Sequence, residues 1–193
     1  MKIYIDGCSY TAGYGLDKKY SLGSLLSSLG AVTDCSYVGK SNYAIALDTY
    51  KVVDDFDLYI IGWTFNNRFE FDFDGNIAES SATRDGINFG NIPNGEFFEK
   101  EYKELQKRFF RYSSRFSMFS DYLVDSTAAL LQNKKIIFFS WEKRKCNTVL
   151  LYPQFSIDCR QQDMPNWINY GHLNESGMKL LSDIVINEYE LKK

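Results

Sequence analysis

Four short apolar runs, spaced along the chain with helical patterns between them, constrain this fold more than any other feature. Lys2-Ile3-Tyr4-Ile5-Asp6 reads as a strand rich in β-branched and aromatic residues, stopped by Gly7. Val32 to Val38 is a second candidate, Asp57-Leu58-Tyr59-Ile60-Ile61-Gly62 a third, and Lys134 to Ser140 a fourth. Thr148 to Tyr152 suits a shorter fifth. Between them, Leu22, Leu25, Leu26 and Leu29 recur at the spacing of one helix face, with Gly30 placed as a C-terminal cap. Ala44 to Val53 fits a helix, and a last helix begins near Asn174 with Met178, Leu181, Ile184 and Val185 on one side. Strands alternating with helices imply a mostly parallel α/β sheet covered on both faces, a three-layer α/β/α architecture of about five strands.

Residues 63–112 break that rhythm. Phe69-Glu70-Phe71-Asp72-Phe73 alternates with period two and runs into Asp74-Gly75, a hairpin signal. Phe98, Tyr102, Leu105 and Phe109 then mark a helix face, and a further helix spans about 116–132. The segment is too long for a plain strand-to-helix connection, which takes about 2–6 residues. A satellite core, a substrate-facing lid or a dimer contact would each account for its aromatics. With no internal repeat and only 3 prolines, the 193 residues are expected to form one domain carrying this insertion.

The chain contains a single histidine, His172, which excludes multi-histidine metal sites and leaves one imidazole for any acid–base chemistry. A net charge of -3 argues against a nucleic-acid partner, whose affinity would come from neutralising phosphates. Cys8, Cys35, Cys146 and Cys159 contain no C-x-x-C pair. No signal peptide follows Met1-Lys2, and no run approaches the roughly 18 apolar residues of a membrane span. The expectation is a cytoplasmic protein with reduced thiols, no membrane partner, no metal and no cofactor.

In a doubly wound sheet, ligands bind beyond the carboxyl ends of the strands. The segments there are Gly7-Cys8-Ser9-Tyr10-Thr11-Ala12-Gly13, Val38-Gly39-Lys40-Ser41-Asn42, Gly62-Trp63-Thr64-Phe65-Asn66-Asn67-Arg68, and Asn169-Tyr170-Gly171-His172 before the last helix. A serine flanked by glycines can expose its hydroxyl, yet it needs a base, and His172 is the only imidazole.

Together these segments resemble the SGNH/GDSL hydrolase family. Gly7-Cys8-Ser9-Tyr10-Thr11-Ala12-Gly13 is similar to its first block, Gly-Asp-Ser-x-Thr-x-Gly, with Cys8 in place of aspartate. Gly39, followed by Ser41-Asn42, matches the second-block glycine, and Asn169-x-x-His172 is similar to the last block, Asp-x-x-His. The resemblance implies a flavodoxin-like sheet, Ser9 as nucleophile, His172 as general base and then acid, and the N–H groups of Ser9 and Gly39 as oxyanion donors. Fixed donors of this kind stabilise charge that develops only in the transition state.

Two departures stand out. The third block, Gly-x-Asn-Asp, reads Gly62-Trp63-Thr64-Phe65 here, so Thr64 replaces the oxyanion asparagine, with Asn66 or Asn67 as substitutes should the loop curl back. Asn169 stands where an aspartate would orient His172, and its side-chain oxygen could still fix the tautomer; Asp163 or Asp158 could supply a carboxylate instead. Trp63 and the aromatic insertion suit stacking on a sugar or holding an acyl chain, and Arg68 could meet an anionic group or face solvent. Cys8 reads as a small buried residue, and Lys143-Arg144-Lys145 as a solvated loop.

The leading expectation is an esterase acting on a small-molecule or carbohydrate O-acyl ester through an acyl-enzyme on Ser9. The same residues could instead transfer the acyl group to another hydroxyl. A binding module lacking catalysis is the alternative from another class, motivated by the missing aspartate and asparagine. A flavin-phosphate loop at residues 9–13 is a third, which leaves the His172 segment unexplained.

Overall fold

The computed structural model describes residues 1–66, 68–73, 76–83, 86–89, 113–152, 168–169 and 172–192. Strands β1 (Lys2–Gly7), β2 (Ala31–Asp34), β3 (Leu58–Trp63) and β7 (Lys135–Ser140) form one parallel sheet in the order β2-β1-β3-β7. Beyond β7, Leu151 adds a single parallel bridge to Phe139, so the fifth strand expected at Thr148 to Tyr152 is reduced to one residue pair. The chain thus changes direction across the sheet between β2 and β3, with β1 at the reversal.

Alternation along each strand sorts side chains between two cores. Ile3 and Ile5 of β1, Leu58 and Ile60 of β3, and Ile137 and Phe139 of β7 face one side. Tyr4, Tyr59, Ile61, Trp63 and Phe138 face the other. The first core receives Leu22 of α2 (Leu22–Leu25), Leu26, and Met178, Leu181 and Val185 of α5 (Glu175–Leu191). The second receives Ile45 of α3 (Asn42–Lys51) and Val124 of α4 (Ser113–Leu130). Helices therefore cover both faces, the three-layer α/β/α arrangement read from the sequence.

Element boundaries differ from the expectations in places with local causes. The Leu22–Leu29 helix is split into α2 and a 3-10 turn at Ser27–Leu29. Gly30 does not cap it: its backbone is extended, and a side chain there would strike the Met1 carbonyl. β2 stops at Asp34, whose carboxylate accepts from Ser36 N at 3.0 Å and turns the chain away. In the insertion, β4 (Arg68–Phe73), β5 (Asn76–Thr83) and β6 (Gly86–Phe89) form an antiparallel sheet, with Phe73 opposite Asn76 across the expected hairpin. The helix expected around Phe98 to Phe109 lies outside the described residues. Among the described residues, no helix is long and apolar enough to cross a membrane.

Candidate active site

β1 delivers the first element of the site. Past Gly7 the backbone of Cys8 is extended (φ −95, ψ −165), and its carbonyl accepts from the N–H groups of Thr11 and Ala12 at 2.9 and 3.0 Å. Ser9 thereby becomes the first residue of a four-residue helix, α1 (Ser9–Ala12), at the carboxyl edge of the sheet. Gly13, left-handed at φ 71, ends that helix. Thr11 fixes its height. A Cβ on Gly7 would come within 2.2 Å of Thr11 Oγ1, and one on Gly62 within 2.4 Å, so glycine at both strand positions lets α1 settle onto β1 and β3. Cys8 is buried in the apolar core among Tyr10, Leu26 and Leu173, as its reading as a small core residue expected.

The second element comes from β8 (Ile168–Asn169) and β9 (His172–Leu173), which pair antiparallel with Asn169 opposite His172. Two residues on, Asn174 caps α5 by accepting the Gly177 N–H at 2.9 Å, which anchors β9 to the last helix. The result places His172 Nε2 3.0 Å from Ser9 Oγ, across 163 positions of sequence. Tyr10 and Tyr14 flank the imidazole, each with its ring centroid at 5.0 Å. Asp158, Asp163 and Asn67 lie outside the described residues, as do the side chains of Asn169 and Arg68.

The second and third loops are held by charges that the sequence reading passed over. Gly39, at φ 88, follows β2 on the loop whose Tyr37 N–H bonds the Gly7 carbonyl, which sets it at the same edge as Ser9. The next residue, Lys40, has no exposed surface; its ammonium bonds both oxygens of Asp6 at 2.7 and 2.9 Å, Asp48 at 2.8 Å and the Cys35 carbonyl at 3.1 Å. Asp6 also accepts from Tyr4 OH and Gly7 N. Burial pushes the Asp6 carboxyl up, to about 7, while Lys40 pulls against it. Burial works to lower Lys40, and the two carboxylates outweigh it, holding the ammonium above the ordinary lysine range.

After β3, Thr64 is fully buried and its Oγ1 makes no hydrogen bond among the described residues. Its backbone is clasped by Asn42, which accepts from Thr64 N at 2.9 Å and donates to Thr64 O at 3.1 Å. Arg144 completes the clasp. Its guanidinium reaches the Thr64 carbonyl, Asn66 Oδ1, Asn42 Oδ1 and, through Nε at 2.8 Å, Ser140 Oγ. The side chain is wholly buried, which corrects its reading as part of a solvated loop; Lys143 and Lys145 on either side are exposed. Burial pulls the Arg144 guanidinium below its usual range and pushes the nearby Glu142 carboxyl up.

Two further assignments are corrected. Asn66 is engaged at both ends of its amide, donating to Ser117 Oγ at 3.1 Å and accepting from Arg144, so it does not curl back toward Ser9. Trp63 has no exposed surface; its ring packs on Phe138 in the core beneath α3 and α4, which removes it as a stacking surface for substrate. A signal for Asp6 and Lys40 was present in the sequence: opposite charges lie inside or against the apolar runs, one directly before Gly7 and one directly after Gly39.

Neither a family model nor a curated protein matches the chain. Among solved structures, it is similar to the psychrotrophic esterase EstA from Pseudoalteromonas sp., solved with monoethylphosphonate as inhibitor, at 14% identity and a TM-score of 0.51, covering 100% of this chain and 99% of that one. A G-D-S-L family protein from Desulfitobacterium hafniense DCB-2 aligns at 15% identity over 95% of this chain and 97% of that one, with a TM-score of 0.41. TesA aligns at 20% identity over 35% of this chain, with a TM-score of 0.30, and the match spans 42% of the TesA chain. The match to EstA covers nearly the whole of both chains, and the likeness is one of fold: a parallel sheet with helices on both faces.

Proposed function

We propose that this protein is a serine ester hydrolase of the SGNH/GDSL type. The observation that carries the reading is the 3.0 Å contact between Ser9 Oγ and His172 Nε2, the distance a hydroxyl needs to lose its proton to a base. In this mechanism Ser9 Oγ attacks the ester carbonyl as His172 takes its proton. The N–H groups of Ser9 and Gly39 stabilise the oxyanion. Thr64 is the third donor: it lies two residues beyond Gly62 as Ser9 lies two beyond Gly7, and Gly7 and Gly62 are paired in the sheet. Its unpartnered hydroxyl supports that role. His172 then gives the proton to the departing alcohol; in the second half it takes a proton from water, which attacks the acyl carbon, and returns that proton to Ser9 Oγ as the acid departs.

Asn169, whose backbone pairs with that of His172 across β8–β9, is assigned as the residue that orients the imidazole, a task an amide oxygen can perform without adding a charge. A module retaining only the fold would not need its buried serine within 3.0 Å of its sole imidazole. Hydrolysis of small acetate esters by wild type, Ser9→Ala and His172→Ala tests the mechanism. Each substitution is expected to lower kcat at least about 10³-fold, as loss of a nucleophile or its base does elsewhere. Equal rates in all three proteins would sink it.

A further inference from the structure

We infer that Tyr14 walls a subsite for the alcohol half of the ester, and that this alcohol carries a carbohydrate ring; the inference rests on the Ser9–His172 mechanism above. The imidazole that takes the serine proton must hand it to the leaving alkoxide, so that oxygen comes within about 2.6–3.2 Å of Nε2. Whatever borders His172 on its open side therefore borders the alcohol and not the acyl group. Tyr10 and Tyr14 are the described aromatic neighbours of the imidazole. Tyr10 is buried, backed by Trp141 at 5.0 Å and Phe65 at 5.8 Å, and belongs to the core. Tyr14 is 54% exposed, with its ring tilted by 57° to the imidazole.

The backbone presents Tyr14 deliberately. It sits between Gly13 and Gly15, at φ 71 and 82, a conformation that only residues without a side chain adopt freely. Its N–H bonds the Ser9 carbonyl at 3.0 Å, so the ring is carried on the same backbone turn as the nucleophile. Among the described residues, a Cβ built on the neighbouring Gly15 would meet nothing within 4 Å. A tyrosine offers an apolar ring with a polar tip, which suits a ring whose C–H face is apolar and whose hydroxyls stay in water. A long alkyl chain calls for an enclosed apolar wall, whereas Tyr14 offers a half-exposed ring.

The test compares a monoacetylated methyl glucoside with ethyl acetate, two acetates that differ in the alcohol. For Tyr14→Ala, KM for the sugar acetate is expected to rise about tenfold with kcat nearly unchanged, ethyl acetate kinetics staying as in wild type. Tyr14→Phe, which keeps the ring, is expected to retain the sugar KM. An equal loss on both esters would assign Tyr14 to holding His172 and overturn the subsite, as would no change on either. Titration of Ser9→Ala with the same sugar acetate, followed by NMR, separates the inference from the mechanism. If wild type cleaves neither ester yet this binding weakens with Tyr14→Ala, the hydrolase reading fails and the subsite stands. If no binding is seen, or it ignores Tyr14, the subsite falls whatever the rate.

Discussion

Two buried cations stand at the carboxyl edge of the sheet, Lys40 beside β1 and β2 and Arg144 beside β3 and β7, and they are used differently. Lys40 meets two carboxylates, Asp6 and Asp48, a backbone carbonyl, and the Tyr37 ring at 4.6 Å. Its surroundings answer a point charge with charge. Among the described residues, Arg144 has Asp121 at 3.8 Å and the charge of Glu142 nearby, but its hydrogen bonds go to neutral oxygens of Asn42, Thr64, Asn66 and Ser140. There the planar fork matters more than the charge, because its N–H groups tie together Asn42 of α3, the Thr64–Asn66 turn and Ser140 at the end of β7. One cation neutralises a buried acid under the Ser9 turn; the other fixes the shape of the Thr64 turn.

Removing the lysine charge should produce the largest effect. Lys40→Met leaves Asp6 buried without its counter-ion and is expected to cost about 3–5 kcal/mol in chemical denaturation, whereas Asp6→Asn combined with Lys40→Met recovers most of that loss. A double variant as unstable as the single would show that packing of the lysine stem, and not charge balance, holds this corner. Next, Arg144→Lys keeps the charge and loses the fork. It should cost about 1–3 kcal/mol, because a single ammonium cannot serve Thr64, Asn66 and Ser140 together. Full stability in that variant would erase the contrast between the two sites.

The smallest effect comes from an acid outside both clusters. Asp125 on α4 is pushed up by burial but pulled further down by hydrogen bonds from Asn147 and Thr148, so its folded pKa lies below the unfolded value. Its contribution is present above about pH 4 and lost as pH falls through the folded pKa. Asp125→Asn should therefore lower Tm modestly at neutral pH, with the gap to wild type closing in acid. A gap that persists below pH 3 would mean that geometry, not charge, is what this residue supplies.

The same contrast explains what could be read from sequence. The four strands were visible because each is a run of residues that must leave water, and their alternation with helices sets the layers whatever the details. The positions of Ser9 and His172 were visible through glycine-flanked blocks, since turn chemistry is local. Arg144 was misread because a Lys-Arg-Lys stretch looks solvated; the oxygens that bury its middle member come from residues 42, 64, 66 and 140. Trp63 was misread because period-two alternation decides which face a strand residue takes, and its position puts it with Tyr59 and Ile61 in the core under α3 and α4.

The 163-position separation between Ser9 and His172 has a consequence for assembly. Closing so long a loop costs entropy that burial of Met178, Leu181 and Val185 of α5 in the first core helps to repay. The contact between Ser9 and His172 joins the two ends of a chain whose parallel strands pair out of sequence order, the kind of non-local pairing that makes folding slow. For the hydrolase proposed above, recovery of turnover after dilution from denaturant would then trail the return of helical signal, and ester cleavage would serve as the clock for the last step of folding.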